Sequence, residues 1–320
     1  MNRILTPGYA RRLFLRVLLV LSFAANAFAQ KNTIQNNSGT NTSQYSLLSI
    51  NNFTSWLRAD GTFSHTLKDS MGTIFPRGKV PIVFRGTFIW GALAYRDSAQ
   101  TRPAPFDQLL RVGGGVFVAR TQPGRIIGFG ADAVAADKLA PETRVYRIRR
   151  DFFEMDEAEL RREALAYFEL GNDPGVVTPE QIAAIREMYA RDWMEWPVQH
   201  GAPFIDRNST GVFDPPPAFS AHFTLADLVA GGHDEPGITA ADIEVPADQV
   251  IWTVFNDLDE AETRSFAGSR PLGLELQVTQ WTYRSDADWG AVFLRIVKLI
   301  NRGGVERDES GNKGVIWLAD

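Results

Sequence analysis

The amino-acid sequence predicts a mainly β protein with sandwich-like antiparallel sheets and an inserted α-helical hairpin. Residues 47–150 and 246–320 contain short runs rich in β-branched and aromatic residues, separated by turn residues. Between these two regions, residues 151–198 place apolar residues at helical spacing behind two capping sequences. The change from strand-like to helical periodicity and back predicts this fold class.

The N-terminal segment predicts export from the cytoplasm. In residues 1–29, four arginines accompany an apolar stretch from Leu13 to Phe23, followed by the small-x-small cleavage pattern Ala27-Phe28-Ala29. This stretch is shorter than the ~20 residues that span a bilayer, which favours a signal peptide over a membrane anchor. Residues 30–46 are mostly polar and predict a flexible leader. We therefore expect a secreted or cell-surface protein with no membrane span after signal cleavage.

Strands are predicted in both β-rich regions. Those of the first region are Val80–Phe84, Thr87–Ala94, Val116–Arg120, Arg125–Phe129 and Arg144–Arg149, and those of the second are Gln249–Phe255, Leu272–Tyr283, Ala291–Ile300 and Gly314–Asp320. Apolar and polar residues alternate from Leu274 to Trp281, which predicts one buried face and one solvent-exposed face. The chain stops at a predicted strand, so we expect region 246–320 to be truncated.

The helical hairpin is predicted from its caps. Asp156 with Glu159 three residues later opens a helix that ends before Gly171. A second helix begins at Thr178, where a Thr cap, a proline at the first helical position and Gln181 reinforce one another. The connection between the helices is short, so we expect a hairpin packed on one side of a sheet.

Composition excludes several classes of function. The chain has no cysteine, which excludes disulfide scaffolds, thiolate zinc sites and thiol nucleophiles. Removal of residues 1–29, with four arginines and no acidic residue, changes the formal net charge from −5 to −9. So acidic a protein is not expected to bind nucleic acid.

Ligand chemistry is concentrated in the loop-rich region 199–245. Oxygen donors recur at alternate positions of one loop in the order of a calcium-binding loop, with Gly211 at the sixth position, where such loops turn sharply. Position twelve is Pro217, so the bidentate glutamate of an EF-hand is missing, and we expect a further ligand from Asp234 or Asp248. The predicted Ca²⁺ ligands are Asp206, Asn208, Thr210, the Val212 carbonyl and Asp214. The alternative is a plain turn, because Asp, Asn and Gly also favour turns.

Other patterns are weaker signals. The basic run Arg144, Arg147, Arg149 and Arg150 suggests either the solvated face of an edge strand or, less favoured, a surface for an anionic glycan. Most of the eight tryptophans are expected in the core, although some could form a sugar-stacking platform. Acidic pairs such as Asp257/Asp259 or Glu260/Glu262 are candidate glycosidase carboxylates, but the chain holds 38 acids and spacing does not select among them. We therefore identify no catalytic residue.

Several phrases together resemble a group of large, uncharacterised secreted proteins of Bacteroidetes and related bacteria. The matching phrases are Ile50-Asn51-Asn52-Phe53, Trp56, Asp60-Gly61, Phe75-Pro76-Arg77-Gly78, Ile89-Trp90-Gly91, Gln122-Pro123-Gly124, Asp192-Trp193, Trp196-Pro197, Gly201-Ala202-Pro203-Phe204, loop 206–215, Asp248-Gln249, Trp252, Asn256-Asp257, Gly273-Leu274-Glu275 and Phe293-Leu294-Arg295 with Lys298-Leu299-Ile300-Asn301. Such proteins usually continue into a C-terminal sorting domain for type IX secretion, which implies surface or extracellular placement. The resemblance implies no particular activity.

These observations favour a secreted or cell-surface structural or adhesive module with a structural calcium loop. Its partners would be extracellular glycans or other surface proteins. The alternative is an exported polysaccharide-binding or polysaccharide-processing protein, with exposed tryptophans beside a groove that carries carboxylates.

Overall fold

The structure is a computed structural model that describes residues 44–64, 72–220, 222–239, 245–284 and 289–319. The predicted signal peptide, residues 1–29, lies outside the described residues, as does the predicted leader up to residue 43. The first strand begins at Tyr45.

Eighteen strands and four α-helices are present among the described residues. The strands are β1 (Tyr45–Leu48), β2 (Ser55–Arg58), β3 (Thr73–Ile74), β4 (Pro81–Val83), β5 (Ile89–Tyr95), β6 (Leu110–Gly114), β7 (Gln122–Pro123), β8 (Ile126–Ile127), β9 (Val134–Ala135), β10 (Tyr146–Arg149), β11 (Phe204–Ile205), β12 (Glu235–Pro236), β13 (Gln249–Asn256), β14 (Leu274–Thr282), β15 (Leu294–Asn301), β16 (Val305–Glu306), β17 (Lys313–Gly314) and β18 (Trp317–Ala319). The helices are α1 (Glu157–Tyr167), α2 (Pro179–Met194), α3 (Leu225–Ala230) and α4 (Glu260–Ala267).

The centre of the fold is an antiparallel sheet in the order β10-β13-β14-β15, with β7 also paired to β13. One face of this sheet, which includes Trp252 and Trp281, packs against the helical hairpin in one apolar cluster. The opposite face, which includes Phe255 and Val278, packs in a second cluster against residues of β1, β2 and the three-stranded sheet β18-β5-β6. The fold is therefore mainly β with sandwich-like antiparallel sheets, as predicted.

The helical hairpin forms as its capping residues predict. The Asp156 carboxylate accepts a hydrogen bond from the Glu159 N–H at the start of α1. At the start of α2, Thr178 and Gln181 form a reciprocal capping box. Helix α2 contributes Ile185, Tyr189 and Trp193 to the apolar cluster on this face. At the edge strand β10, the Asp192 carboxylate accepts a hydrogen bond from the Arg147 N–H, 2.9 Å away.

Two of the strand predictions are wrong. The segment Val116–Arg120 is not a strand, and the strand of this region is β6, which pairs with β5. Strand β14 was predicted to have one solvent-exposed face, but all nine of its residues are buried. On its polar face, the Glu275 carboxylate accepts a hydrogen bond from the Ile126 N–H at 2.7 Å, and the Gln277 amide donates to the His200 carbonyl at 2.8 Å. Polar side chains are thus buried here where other chain segments supply hydrogen-bond partners.

Within the part of the chain that the structure describes, no helix has the length and apolar character needed to cross a membrane.

Candidate metal centre

The candidate loop begins where a short β-ribbon ends. Strand β11 pairs with β12, with Ile205 opposite Glu235, and Asp206 follows directly. The loop then turns through Ser209 and Gly211, both in the left-handed region with φ of 57° and 73°. A left-handed conformation favours glycine. Gly211 adopts it at the sixth position of the loop, where the sequence predicted a sharp turn.

Inside the loop, oxygen atoms converge in two pairs. The Asp206 Oδ1 and Asn208 Oδ1 atoms both accept hydrogen bonds from the Thr210 N–H, at 3.2 and 3.1 Å. The second Asp206 oxygen accepts from the Gly211 N–H at 2.7 Å. The Thr210 hydroxyl lies 3.1 Å from the Val212 carbonyl oxygen. Four of the five predicted donors therefore lie within one turn of chain.

Asp234 ties the two ends of this loop together. Its side chain is completely buried, and its two carboxylate oxygens accept hydrogen bonds from the N–H groups of Arg207, at 2.8 Å, and Asp214, at 2.9 Å. The Asp234 N–H donates in turn to the Asp214 carbonyl at 3.0 Å. Both carboxylate oxygens are thus engaged with the backbone, and Asp234 positions the loop.

The neighbouring Glu235 is also completely buried. Its two oxygens contact Arg150 at 2.9 Å and Arg207 at 2.5 Å. These ion pairs anchor the ribbon that carries the loop. Nothing in the local pattern distinguishes a buried acid from an exposed one, because both arginines are remote from Glu235 in the chain.

The remaining predicted ligands are not brought to the same point by described contacts. The Asp214 side chain is exposed, and Asp248 lies elsewhere, with its Oδ2 atom accepting a hydrogen bond from the Arg284 N–H at 2.6 Å. Among the described residues, no three His, Asp or Glu side chains form a group suited to a metal ion. A cation at this loop would depend on amide, hydroxyl and carbonyl oxygens as well as carboxylates, which suits a hard ion such as Ca²⁺.

The basic run of β10 is a structural ion-pair cluster rather than a solvated face or a glycan surface. Arg147 and Arg149 are buried and both contact the Glu163 carboxylate of α1. Arg144 pairs with Asp192 of α2 at 3.2 Å. Both interpretations of this run are wrong, because the hairpin covers these side chains and neutralises their charges.

The candidate glycosidase carboxylates also have local structural roles. Asp257 is buried, and its oxygens accept hydrogen bonds from the N–H groups of Leu272 and Leu274, both at 2.7 Å. Asp259 caps α4. Glu262 pairs with Arg120 at 3.1 Å. Glycoside hydrolysis requires two carboxyls that face one cleft. The contacts of Asp257, Asp259 and Glu262 do not place them in this way.

Most tryptophans lie in the core, as expected, but two are exposed. Trp289 is 38% and Trp317 is 49% exposed. Trp317 belongs to the outer face of the β18-β5-β6 sheet, where the strand register also places Ile89 and Leu110, which are more than half exposed. Apart from Trp317 and Tyr95, the residues that these three strands present on this face are all aliphatic or glycine.

Comparison of the chain with protein-family models, curated proteins and solved structures gives no match. The functional interpretation therefore depends on the geometry of the described residues.

Proposed function

We propose that the chain is a secreted or cell-surface structural or adhesive module that Ca²⁺ stabilises at its candidate loop. The observation that supports the calcium site is that four oxygen donors lie in two close pairs within residues 206–212. The ligands would be Asp206, Asn208, Thr210, the Val212 carbonyl and Asp214. Water would supply further oxygens, because Ca²⁺ takes six to eight.

The ion would neutralise charge in a loop with little apolar burial. Val212 is 67% exposed, and the Asp206 carboxylate holds the turn through hydrogen bonds from the backbone. Outside the cytoplasm, sites with dissociation constants of about 10⁻⁴–10⁻³ M are occupied. In 10 mM Ca²⁺ such a site would add about 1.4–2.7 kcal/mol to the free energy of unfolding.

The test compares melting curves of the purified chain in EGTA and in 10 mM Ca²⁺. We expect Ca²⁺ to raise the melting temperature by a few degrees, and Asp206→Ala to abolish this rise. Asp308→Ala is a matched control. The Asp308 carboxylate organises another exposed loop by accepting hydrogen bonds from the N–H groups of Ser310 and Asn312. The Asp308→Ala variant should still melt at a higher temperature in Ca²⁺ than in EGTA. Equal melting temperatures of the parent in the two buffers would contradict the proposed calcium site.

The outer face of the β18-β5-β6 sheet supports the adhesive part of the proposal. Contiguous exposed apolar surface commonly marks an interaction site. The three strands offer no hydrogen-bonding side chain there beyond Trp317 and Tyr95, which favours a protein surface over a glycan as the partner. Exposure of Trp317 is also the observation that favours the polysaccharide alternative. A glycan array probed with the parent and with Trp317→Ala separates the two, because glycan binding that depends on Trp317 would contradict the protein partner.

A further inference from the structure

Strand β15 forms one edge of the central sheet, and it is exposed along its length. None of its eight residues is buried, whereas every residue of the two inner strands, β13 and β14, is buried. Among the residues that the structure describes, β14 is the only strand that pairs with β15. Ile296 is 49% and Leu299 is 50% exposed, and these two side chains lie on opposite faces of the sheet because side chains alternate along a strand.

The free side of β15 carries unpaired main-chain groups. The Arg302 N–H donates to the Gly273 carbonyl at 2.8 Å, one residue beyond the register pair Leu274 and Asn301. Every second residue pair of an antiparallel ladder exchanges hydrogen bonds, so the residues of β15 in phase with Arg302 bond to β14. The residues between them direct their N–H and C=O groups to the free side, and these are Arg295, Val297, Leu299 and Asn301. Within the described chain, these main-chain groups make no hydrogen bond.

The opposite edge of the same sheet is closed. All four residues of β10 are buried beneath the helical hairpin. The Arg147 N–H, which points away from β13, donates to the Asp192 carboxylate of α2 at 2.9 Å. The part of the chain that the structure describes thus covers one edge of the sheet and leaves the other open.

Charge indicates which kind of strand fits this edge. Lys298 lies in the middle of β15, is exposed, and forms no ion pair with a described residue. Residues 289–305 contain no Asp or Glu. A second copy of the chain would bring another Lys298 and no acid to this edge, and like charges oppose strand pairing. An acidic residue opposite Lys298 would instead form a cross-strand pair of opposite charges.

We propose that β15 binds an extended segment of another protein, which adds a strand to the central sheet and places an acidic residue opposite Lys298, between apolar residues. Main-chain hydrogen bonds to the free side of β15 would supply most of the affinity, and the side chains of Ile296, Lys298 and Leu299 would supply the specificity. The edge shares no residue with the candidate calcium loop or with the outer face of the β18-β5-β6 sheet, so this proposal is independent of the proposed function.

The test titrates the purified chain, in EGTA, into a fluorescent peptide of alternating valine and threonine with a central glutamate. We expect saturable binding with a dissociation constant below about 1 mM, and binding about three-fold weaker when the central residue is lysine. Hydrogen exchange locates the site, because the amides of Val297 and Leu299 should exchange rapidly in the free chain and become protected by the peptide. Absence of saturable binding or of this protection would overturn the proposal. Dimerisation that protects these amides without peptide would also overturn it, because a second copy would then occupy the edge.

Two positions separate the main-chain and charge contributions. Leu299→Pro removes one free N–H and no hydrogen bond to β14, and edge strands tolerate proline at such a position. It should weaken peptide binding about ten-fold, whereas the matched control Leu299→Val keeps the N–H and should stay within about two-fold of the parent. Lys298→Glu should reverse the preference between the glutamate and lysine peptides, and it tests the site if Leu299→Pro does not fold. Unchanged binding by folded Leu299→Pro, or an unchanged preference in Lys298→Glu, would contradict the proposed site.

Discussion

Replacing Glu163 by glutamine tests whether the buried ion-pair cluster holds the helical hairpin on the sheet. The Glu163 carboxylate contacts Arg147 and Arg149 of β10, and it also accepts hydrogen bonds from Ser49 and from the Tyr189 hydroxyl of α2. One carboxylate thus joins four segments of chain. Glutamine keeps the shape of the side chain but removes the charge opposite two buried guanidinium groups.

Two routes give the magnitude of this change. Burial raises the pKa of the Glu163 carboxyl, but the charges of Arg147 and Arg149 outweigh burial and hold the pKa at about 2, below its ordinary 4.5. A lowering of this size corresponds to about 3 kcal/mol of stability at neutral pH. Removing one partner of a buried pair typically costs about 3–5 kcal/mol. We therefore expect Glu163→Gln to lower the free energy of unfolding by about 3 kcal/mol.

The pH dependence follows from the direction of the shift. Because the folded-state pKa is lowered, the contribution is complete above pH 4.5 and is lost as the pH falls from there towards 2. Urea denaturation at pH 7, 5, 4 and 3, followed by tryptophan fluorescence, measures it. The parent should lose this stability at acidic pH, and the loss should be smaller in Glu163→Gln.

Glu157→Gln is the matched control, because the Glu157 side chain is 68% exposed and pairs with Arg161 on the surface of α1. Its effect should stay within about 0.5 kcal/mol. If Glu163→Gln costs less than about 1 kcal/mol at pH 7 and loses stability in acid as steeply as the parent, the cluster does not hold the hairpin as argued.

Two further predictions concern buried aspartates. Burial raises the pKa of Asp257 to about 6, above the ordinary 3.8, so its contribution to stability should increase by about 3 kcal/mol as the pH falls from about 6 towards 4. Asp257→Asn should remove this increase in urea denaturation at pH 4 to 7, and parallel pH curves for the two proteins would contradict the shift. Asp234→Asn should leave one backbone N–H of the loop without an acceptor and cost about 1–3 kcal/mol. Hydrogen exchange at the amides of Arg207 and Asp214 checks this, and unchanged rates at both would show that Asp234 does not tie the loop.

The elements that the sequence predicted well are those whose signals are local. The caps of the two hairpin helices lie within three residues of the helix starts, and both caps form. The long strands β13, β14 and β15 were also found, because their runs of β-branched and apolar residues are continuous. In contrast, α3 has six residues and α4 has eight, and neither run is long enough to show a helical period.

The errors arise where distant residues decide the environment. The arginines of β10 were predicted to face solvent, because basic runs usually do. However, Glu163, which neutralises Arg147, lies 16 residues away in the chain. Asp192, which accepts the Arg147 N–H, lies 45 residues away. At the candidate loop, the alternate oxygens are a local pattern that the sequence displays. The role of Asp234 depends on partners 27 and 20 residues away, so no spacing rule could identify it.

The contacts already present in the loop limit what calcium can do there. The Asp206 carboxylate accepts hydrogen bonds from two backbone N–H groups, and Asp234 joins the loop ends, so the turn is closed by the chain itself. In small zinc domains, by contrast, the metal supplies most of the folding free energy, and its removal unfolds the chain. Calcium at this loop would add to a turn that already exists, mainly by offsetting the charges of Asp206 and Asp214. A graded rise in melting temperature with calcium concentration, rather than loss of the fold in chelator, is therefore the response that this geometry favours.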